Sequence, residues 1–470
     1  MAYGTFMGLN TALKGLMAQQ AALDVTGHNL ANVNTEGYTR QRADLKATTP
    51  YTVPARNMMT PGQIGTGVEV AGFERLRDQY VDSNIRTQLS RLGSADEMTA
   101  AMEQLDSMFG EPGEFAVSSL MRNYFASLDD VAAHPEDMAA RQAFAQAADA
   151  FANGMNQLAA QVADLRLQSD TKLNDSVVEI NTISSQIAAL NDSIRDANQV
   201  GLDPNDLKDE RDRLMDQLAT KVNFTYTTSM PNEEVTITMG TTVPINLVDP
   251  LVPGGFNAVT RADLDLAYTN GDITAGEVFT NEDLFQTVIP FYQTRLDDFV
   301  NSVVTQSNTQ HAAGFDITGA PGGNLFNPVG TTAATMQFSA AVLANPRLIA
   351  AASSWAAPGE PGNGNNANAL LALRSVVQAA PLNATWENFY TATVASVGSR
   401  GSVAQQTQGN QAALVDALQR RRDEVSGVSV DEEMANMLKF QHAYNASARI
   451  LTTMDDTLDT LINRMGRVGL

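Results

Sequence analysis

Apolar positions near both ends of the chain recur every seven residues. Leu9, Leu16, Leu23 and Leu30 form one series, and Phe6 and Leu13 begin a second that lapses at Gln20 and Gly27. Val430, Met437, Tyr444, Leu451, Leu458 and Met465 form a longer series, with Phe440, Ser447, Met454, Leu461 and Val468 three positions on. This spacing predicts amphipathic helices over Phe6–Val33 and Val428–Met465 whose seams ask for a partner helix. Asp431, Glu432 and Glu433 open the second helix, where the positive end of the helix dipole favours carboxylates. Each helix could lie on a globular core of its own, but two such helices at opposite ends of one chain predict that they pair with each other. The first is interrupted by Gly15, Gly27, Asn29 and Asn32 and is marginal alone.

Between the ends the period changes twice. Pro50–Gly72, rich in Pro, Gly and Thr, reads as extended or looped chain. Helical spacing then runs from Gln79 through Phe109, from Ser118 to Ala132, and from Ala139 for most of sixty residues, with Ile180, Ile183, Ile187, Leu190 and Ile194 on one stripe. Asp203 is the expected N-cap of a helix with Pro204 at its first position, running through Leu218. Its charge run, Lys208–Arg213, reads as a solvated face with pairs such as Asp209–Arg213.

From Val222 the alternation Phe224, Tyr226; Val235, Ile237, Met239; Val243, Ile245, Leu247 predicts a β meander, and Asn270-Gly271 a hairpin closing Leu264, Leu266 and Tyr268 on Ile273. A helix is expected over Asn281–Asn308, a short strand at Met336 and Phe338, and a polar loop over Pro358–Asn368. Two further helices, Ala384–Val397 and Val403–Val425, lead into the terminal one. The expected fold is mainly α with an inserted β domain. Residues 1–40 with 428–470 form a terminal coiled coil. Residues 41–221 with 280–427 form a helical-bundle body with loops and short strands near 311–345, and 222–279 a small β-rich outer insert.

Composition narrows the function. The 470 residues carry 53 acidic and 30 basic side chains, a net charge of −23, which repels phosphate backbones and anionic lipid and so argues against nucleic-acid or membrane partners. There is no cysteine, which excludes disulfides and thiolate metal sites. His28, His134, His311 and His442 are scattered without ligand spacing, so no metal site is expected. No apolar run is long enough to span a membrane, and the N-terminus lacks the basic and apolar regions of a cleaved signal. No GxxxxGK[ST], GxSxG or HExxH motif occurs. The adjacent pairs Asp129-Asp130 and Asp297-Asp298 point apart on a helix and make poor acid–base partners. Arg420-Arg421-Arg422 reads as a helix-end cap, and Trp355 and Trp386 as core or interface. No catalytic residue and no cofactor is expected.

Two segments are more telling. Asn29-Leu30-Ala31-Asn32-Val33-Asn34-Thr35-Glu36-Gly37-Tyr38-Thr39-Arg40-Gln41 joins cap and turn residues in the order that ends a helix, with Gly37 free to take a positive φ. Gly427–Met437, reading GVSVDEEMANM, is followed by Phe440-Gln441-His442-Ala443-Tyr444. The first resembles the NxxNxNTxGY signature of flagellar axial proteins, the rod, hook and hook-associated family. The second, the AGFD-type turn at His311–Asp316 with Gly319, and the run Asn205–Leu214 are most similar to its hook-associated members.

The resemblance implies a structural subunit of the flagellum, exported outside the cell without a cleaved signal through the flagellar type III apparatus. It also implies assembly with copies of itself, with hook protein and with a second hook–filament junction protein, and an export chaperone at the C-terminal helix. The assembly interface expected on this reading is Phe6, Leu9, Leu13, Leu16, Leu23 and Leu30 with Val430, Met437, Tyr444, Leu451, Leu458 and Met465. Asn29, Asn32, Asn34, Gly37 and Tyr38 make the motif turn. The alternatives are a hook or rod subunit, or a secreted enzyme or adhesin carrying flagellar-type termini.

Overall fold

In the computed structural model, which describes residues 6–50, 65–110, 113, 116–355 and 362–460, the first heptad pattern forms α1 (Met7–Ala31). An antiparallel pair follows, β1 (Gln41–Ala47) with β2 (Val68–Arg75), bulged between Asp44 and Leu45. The helices α2 (Gln79–Phe109), α3 (Val117–Ala133), α4 (Met138–Gln199) and α5 (Asn205–Lys221) come next. The period-2 stretch gives a meander of order β3–β4–β5, with β3 at Thr225–Ser229, β4 at Glu234–Met239 and β5 at Ile245–Val248. Then come α6 (Arg261–Thr269), α7 (Glu277–Asp283) and, after a π-helical stretch at Leu284–Val288, α8 (Ile289–Ala312). Pro290, which lacks an N–H, is the second residue after that widened turn. The chain ends with α9 (Ala340–Ala344), α10 (Asn365–Ala372), α11 (Trp386–Ser426) and α12 (Val430–Asp459).

Two compact units share these elements: Met1–Leu89 with Ile180–Val259 and Ala413–Leu470, and Ser90–Glu179 with Thr260–Ala412. In the first, Ile187 and Ile194 of α4 and Leu214 and Leu218 of α5 are buried, as are Val235, Ile237 and Met239 on one face of β4. The Asn191 side chain donates to Val235 O (2.8 Å) and accepts from Val235 N–H and Arg211, so this polar group inside the core is satisfied. The second unit is built on aromatics. Tyr124 lies against Phe125, Phe144, Phe151 and Phe326, and Phe125 stacks on Trp386.

Several sequence expectations are corrected. Asn270-Gly271 closes a helix and no hairpin: Thr260 and Asp263 cap α6 reciprocally, Leu264 and Ala267 are its buried side, and Gly271 (φ 73°) follows its end. The same dipeptide serves a helix C-terminus and a two-residue turn, since both need a positive φ. Asp203 does not cap α5. Its carboxylate accepts from Phe73 N–H at 2.9 Å, and Pro204 takes the cap position. The two helices expected over 384–425 are one, because Gly398 and Gly401 continue the helix. Met336 and Phe338 make no strand, only an isolated bridge between Phe338 and Phe326, and helix α10 begins inside the loop expected over Pro358–Asn368.

His311, in the AGFD-type turn, knits the loops of the second unit. Its Nδ1–H donates to Gly323 O (2.6 Å) and its Nε2 accepts from Ala350 N–H (2.9 Å), which requires one neutral tautomer. Burial, reinforced by Arg141, pushes its pKa down. The unfolded chain therefore takes up a proton below about pH 6.5 that the folded chain resists, and stability falls as pH drops through that range. Urea midpoints should be level from pH 8 to 7 and decline towards pH 5.5, and His311→Asn should lower the midpoint while flattening that slope.

Candidate functional site: the joint of the terminal helices

The paired ends meet along a seam of small residues. Gly8 faces Met454 so closely that a Cβ at Gly8 would lie 2.9 Å from Met454 Cε, and one at Gly15 would lie 3.4 Å from Ser447 Oγ. Asn29 reaches Glu433 directly, its Nδ2 donating to Oε2 at 3.1 Å. Residue numbers rise by sevens on α1 as they fall by sevens on α12, so the helices run antiparallel in a single heptad register. The same register sets Ala22 opposite Phe440, and both line one small cavity. The buried positions of α1 are Ala12, Ala18, Ala22, Thr26 and Asn29.

This corrects the expected seam. Leu9, Leu16, Leu23 and Leu30 are half-buried beside it, one residue on from the contact positions, and Phe6 and Leu13 are exposed. On α12, Met437, Tyr444, Leu451 and Leu458 are half-buried, Val430 is exposed, and Phe440, Ser447 and Met454 carry the register. Met465 lies outside the described residues. The large leucines mark the helix correctly, but only small residues let two backbones approach this closely.

The motif turn forms the joint at the end of the seam. Asn29 spends its whole amide: Nδ2 donates to Gln41 O (2.9 Å) and to Glu433, while Oδ1 accepts from Gln41 N–H (2.9 Å) and Tyr38 Oη–H (2.8 Å). It thus closes the open edge of β1 as a neighbouring strand would. Tyr38 also meets His28 Nδ1 at 3.1 Å. Burial, then Asp206 and Asp209, push the Tyr38 pKa up, keeping its hydroxyl a donor. Asn32 caps the helix through His28 O and Thr35 Oγ1, Asn34 lies exposed, and Gly37 (φ 80°) passes over the Arg213 side chain. Arg40 then pairs with both carboxylates at the start of α12: Nε to Glu433 at 2.8 Å and Nη1 to Glu432 at 2.8 Å. Arg40 N–H donates to Ser426 O, tying in the end of α11 as well.

Beneath the joint lies a charge network that the sequence reading placed in solvent. Lys208, Asp209 and Arg211 of α5 are buried. Asp209 binds Arg75 (2.8 Å) and Thr39 N–H (2.9 Å), while Arg213 pairs with Glu210 and not with Asp209. Asp212 accepts from Arg75 (2.9 Å), Arg77 (2.9 Å) and Arg86 (3.0 Å), and Asp216 from Arg86 and Arg422, both at 2.8 Å. Burial opposes ionisation of Asp212, but Arg77, Arg86 and Arg75 outweigh it and hold the carboxyl well below the usual range. Burial lowers the Arg211 pKa to about 10. Asp209, Asp212 and Asp216 share one helix face by their spacing, the signal that could have revealed a buried site. Their partners, Arg75 on β2, Arg77 just after it, Arg86 on α2 and Arg422 on α11, carried no signal in the sequence. Among the described residues no group of three or more His, Asp or Glu is placed to hold a metal ion, and no helix is long and apolar enough to cross a membrane.

Comparison with known proteins agrees with this architecture. The family model for the flagellar hook-associated protein FlgK helical domain matches residues 102–326. Models for the flagella basal body rod protein and for the flagellar basal body rod FlgEFG protein C-terminal match 9–39 and 419–465, the two sides of the joint. Flagellar hook-associated protein 1 of Bacillus subtilis (strain 168) is 28% identical over 99% of this chain and 99% of its own length. That of Escherichia coli (strain K12) is 25% identical over 97% and 99%. The flagellar hook junction protein FlgK from Burkholderia pseudomallei shares the fold with a TM-score of 0.61, covering 73% of this chain and 100% of its own at 15% identity. Alike in length, in domain and in fold to proteins of one kind, the chain belongs to the flagellar hook-associated protein 1 family.

Proposed function

We propose that this chain is a structural subunit of the bacterial flagellum that joins hook to filament by self-assembly. One observation carries the reading. The terminal helices bury small and polar residues against each other and leave large apolar ones outside: Phe6 just before α1, Leu13 and Met17 on it, and Met434, Leu438 and Ile450 on α12. Met17 is 62% exposed and Leu438 56%. Rows of this kind mark a contact surface. Copies of the chain, packed side by side around a tube, cover them, and the half-buried Leu9, Leu16, Leu23, Leu30, Met437, Tyr444, Leu451 and Leu458 complete the interface.

On this reading the terminal pair, 1–40 with 428–470, forms the tube. The partners proposed are further copies, hook protein on one side, the second junction protein on the other, and before export a chaperone on the apolar face of α12. The work is mechanical, done outside the cell, with no catalytic step. A rod or hook subunit shares the terminal matches, but the match over 102–326 favours the hook-associated role.

The test replaces Leu13 and Met17 together by Asp. Both sites are exposed, so the unfolding free energy of the purified chain should change by no more than about 0.5 kcal/mol per site. Cells relying on this variant should build hooks yet release filament subunits into the medium and fail to swim. Filaments still anchored to the hook would overturn the proposal.

A further inference from the structure

Glu433 is the only charged side chain buried on α12 among the described residues, 2% exposed at the end of a seam otherwise lined by small and apolar groups. Its partners come from two different elements: Asn29 from the last turn of α1, and Arg40 from the chain just beyond the motif turn. The rest of the seam repeats. Gly8, Gly15 and Ala22 are nearly equivalent small residues seven apart, facing Met454, Ser447 and Phe440. A repeating seam of that kind does not by itself distinguish one heptad register from the next, roughly 10 Å away at 1.5 Å per residue.

We infer that Glu433, through Asn29 and Arg40, is the positioning residue that selects the register of the terminal helix pair. Sliding α12 one heptad one way sets the buried carboxylate against Ala22, where nothing can bond it. Sliding it the other way sets Asn29 against Phe440 and strips the edge of β1 of a satisfied neighbour. Both slips bury polar groups without partners, and neither is opposed by the small residues. A lone polar group at a seam position fixes register in helix pairs for this reason. A subunit whose two ends must present one composite surface to its neighbours needs that register set before contact. The inference concerns the helix pair itself and does not depend on the junction reading.

The absence of native cysteine makes register directly measurable. In the full chain, Ser447→Cys is combined with Gly15→Cys for the native register, or with Gly8→Cys or Ala22→Cys for a slip of one heptad in either direction. With Glu433 present, only the Gly15 pair should cross-link under mild oxidation. With Glu433→Leu, the off-register pairs should rise roughly tenfold while the native pair falls, as expected when the one register-specific contact is lost. Glu433→Gln, which can still accept from Asn29 and Arg40, should keep the native pair dominant. Three results would overturn the inference: no native cross-link in the parent, an unchanged pattern in Glu433→Leu, or loss of all three cross-links there. The last would mean that Glu433 holds the helices together without choosing between registers.

Discussion

Replacing Asp212 by Ala is expected to destabilise the fold by about 3–5 kcal/mol, the cost of removing one partner from a buried ion cluster. Asp212 takes a bond from each of three guanidiniums, on Arg75, Arg77 and Arg86, and all four side chains are largely buried. Without it Arg77 keeps Asp82, Arg86 keeps Asp216 and Arg75 keeps Asp209, but each loses one contact and water cannot replace it. Asp212→Asn should be nearly as harmful, since an amide keeps the shape but supplies no charge. The pH dependence follows in sign. The folded pKa of Asp212 is depressed, so the unfolded chain protonates first, and its contribution is full above about pH 5 and lost as pH falls through and below about 3.9. Asp209 works the other way: burial raises its pKa in spite of Arg75, so protonation relieves it as pH falls. Guanidinium titrations of Asp212→Ala and of Asp209→Ala at pH 7 and pH 4 should give opposite changes in their difference from the parent. An Asp212→Ala effect below about 1 kcal/mol at pH 7 would place these charges with surface pairs.

Trp386→Ala should cost about 3–5 kcal/mol as well, by a different mechanism. The ring is 1% exposed and stacks on Phe125 at 6.1 Å between centroids, and its Nε1–H donates to Ser302 Oγ at 2.9 Å. Truncation opens a cavity between α3, α8 and α11 and leaves Ser302 without that donor, and neighbouring aromatics cannot close a gap of that size. Trp386→Phe keeps most of the volume and should cost about 1–2 kcal/mol, largely from the lost hydrogen bond. Denaturant midpoints of the two variants separate the packing part from the polar part. An alanine variant within about 1 kcal/mol of the parent would show that the aromatic core repacks.

Much of this molecule was legible in one dimension. Heptads over Leu9–Leu30 and Val430–Leu458, the long helical stripe through Ile180 and Ile194, and the alternation across Val235, Ile237 and Met239 depend on local periodicity. Each became the element expected. The errors have local causes too. Asn270-Gly271 and Asp203-Pro204 carry signals that two different structures use, and Gly398 with Gly401 reads as a break although a helix that packs well tolerates both. The candidate site divides the same way. Asn29, Gly37 and Tyr38 were recognisable because turn chemistry is local, whereas Arg40 and Glu433 stand nearly four hundred residues apart and meet only in the fold.

The sequence by itself thus determined the terminal helices, the long helical stripe, the β meander, the pairing of the two ends and the family, because periodicity and cap chemistry act over a few residues. Only the tertiary structure decided which helix faces touch. It moved the seam of α1 from its leucines to Gly8, Gly15 and Ala22, since close approach of two helices rewards small side chains over large ones. It also turned the charge run of α5 from a solvated face into a buried network, because Arg75, Arg77 and Arg86 arrive from elements distant in the chain and make burial of Asp209 and Asp212 tolerable.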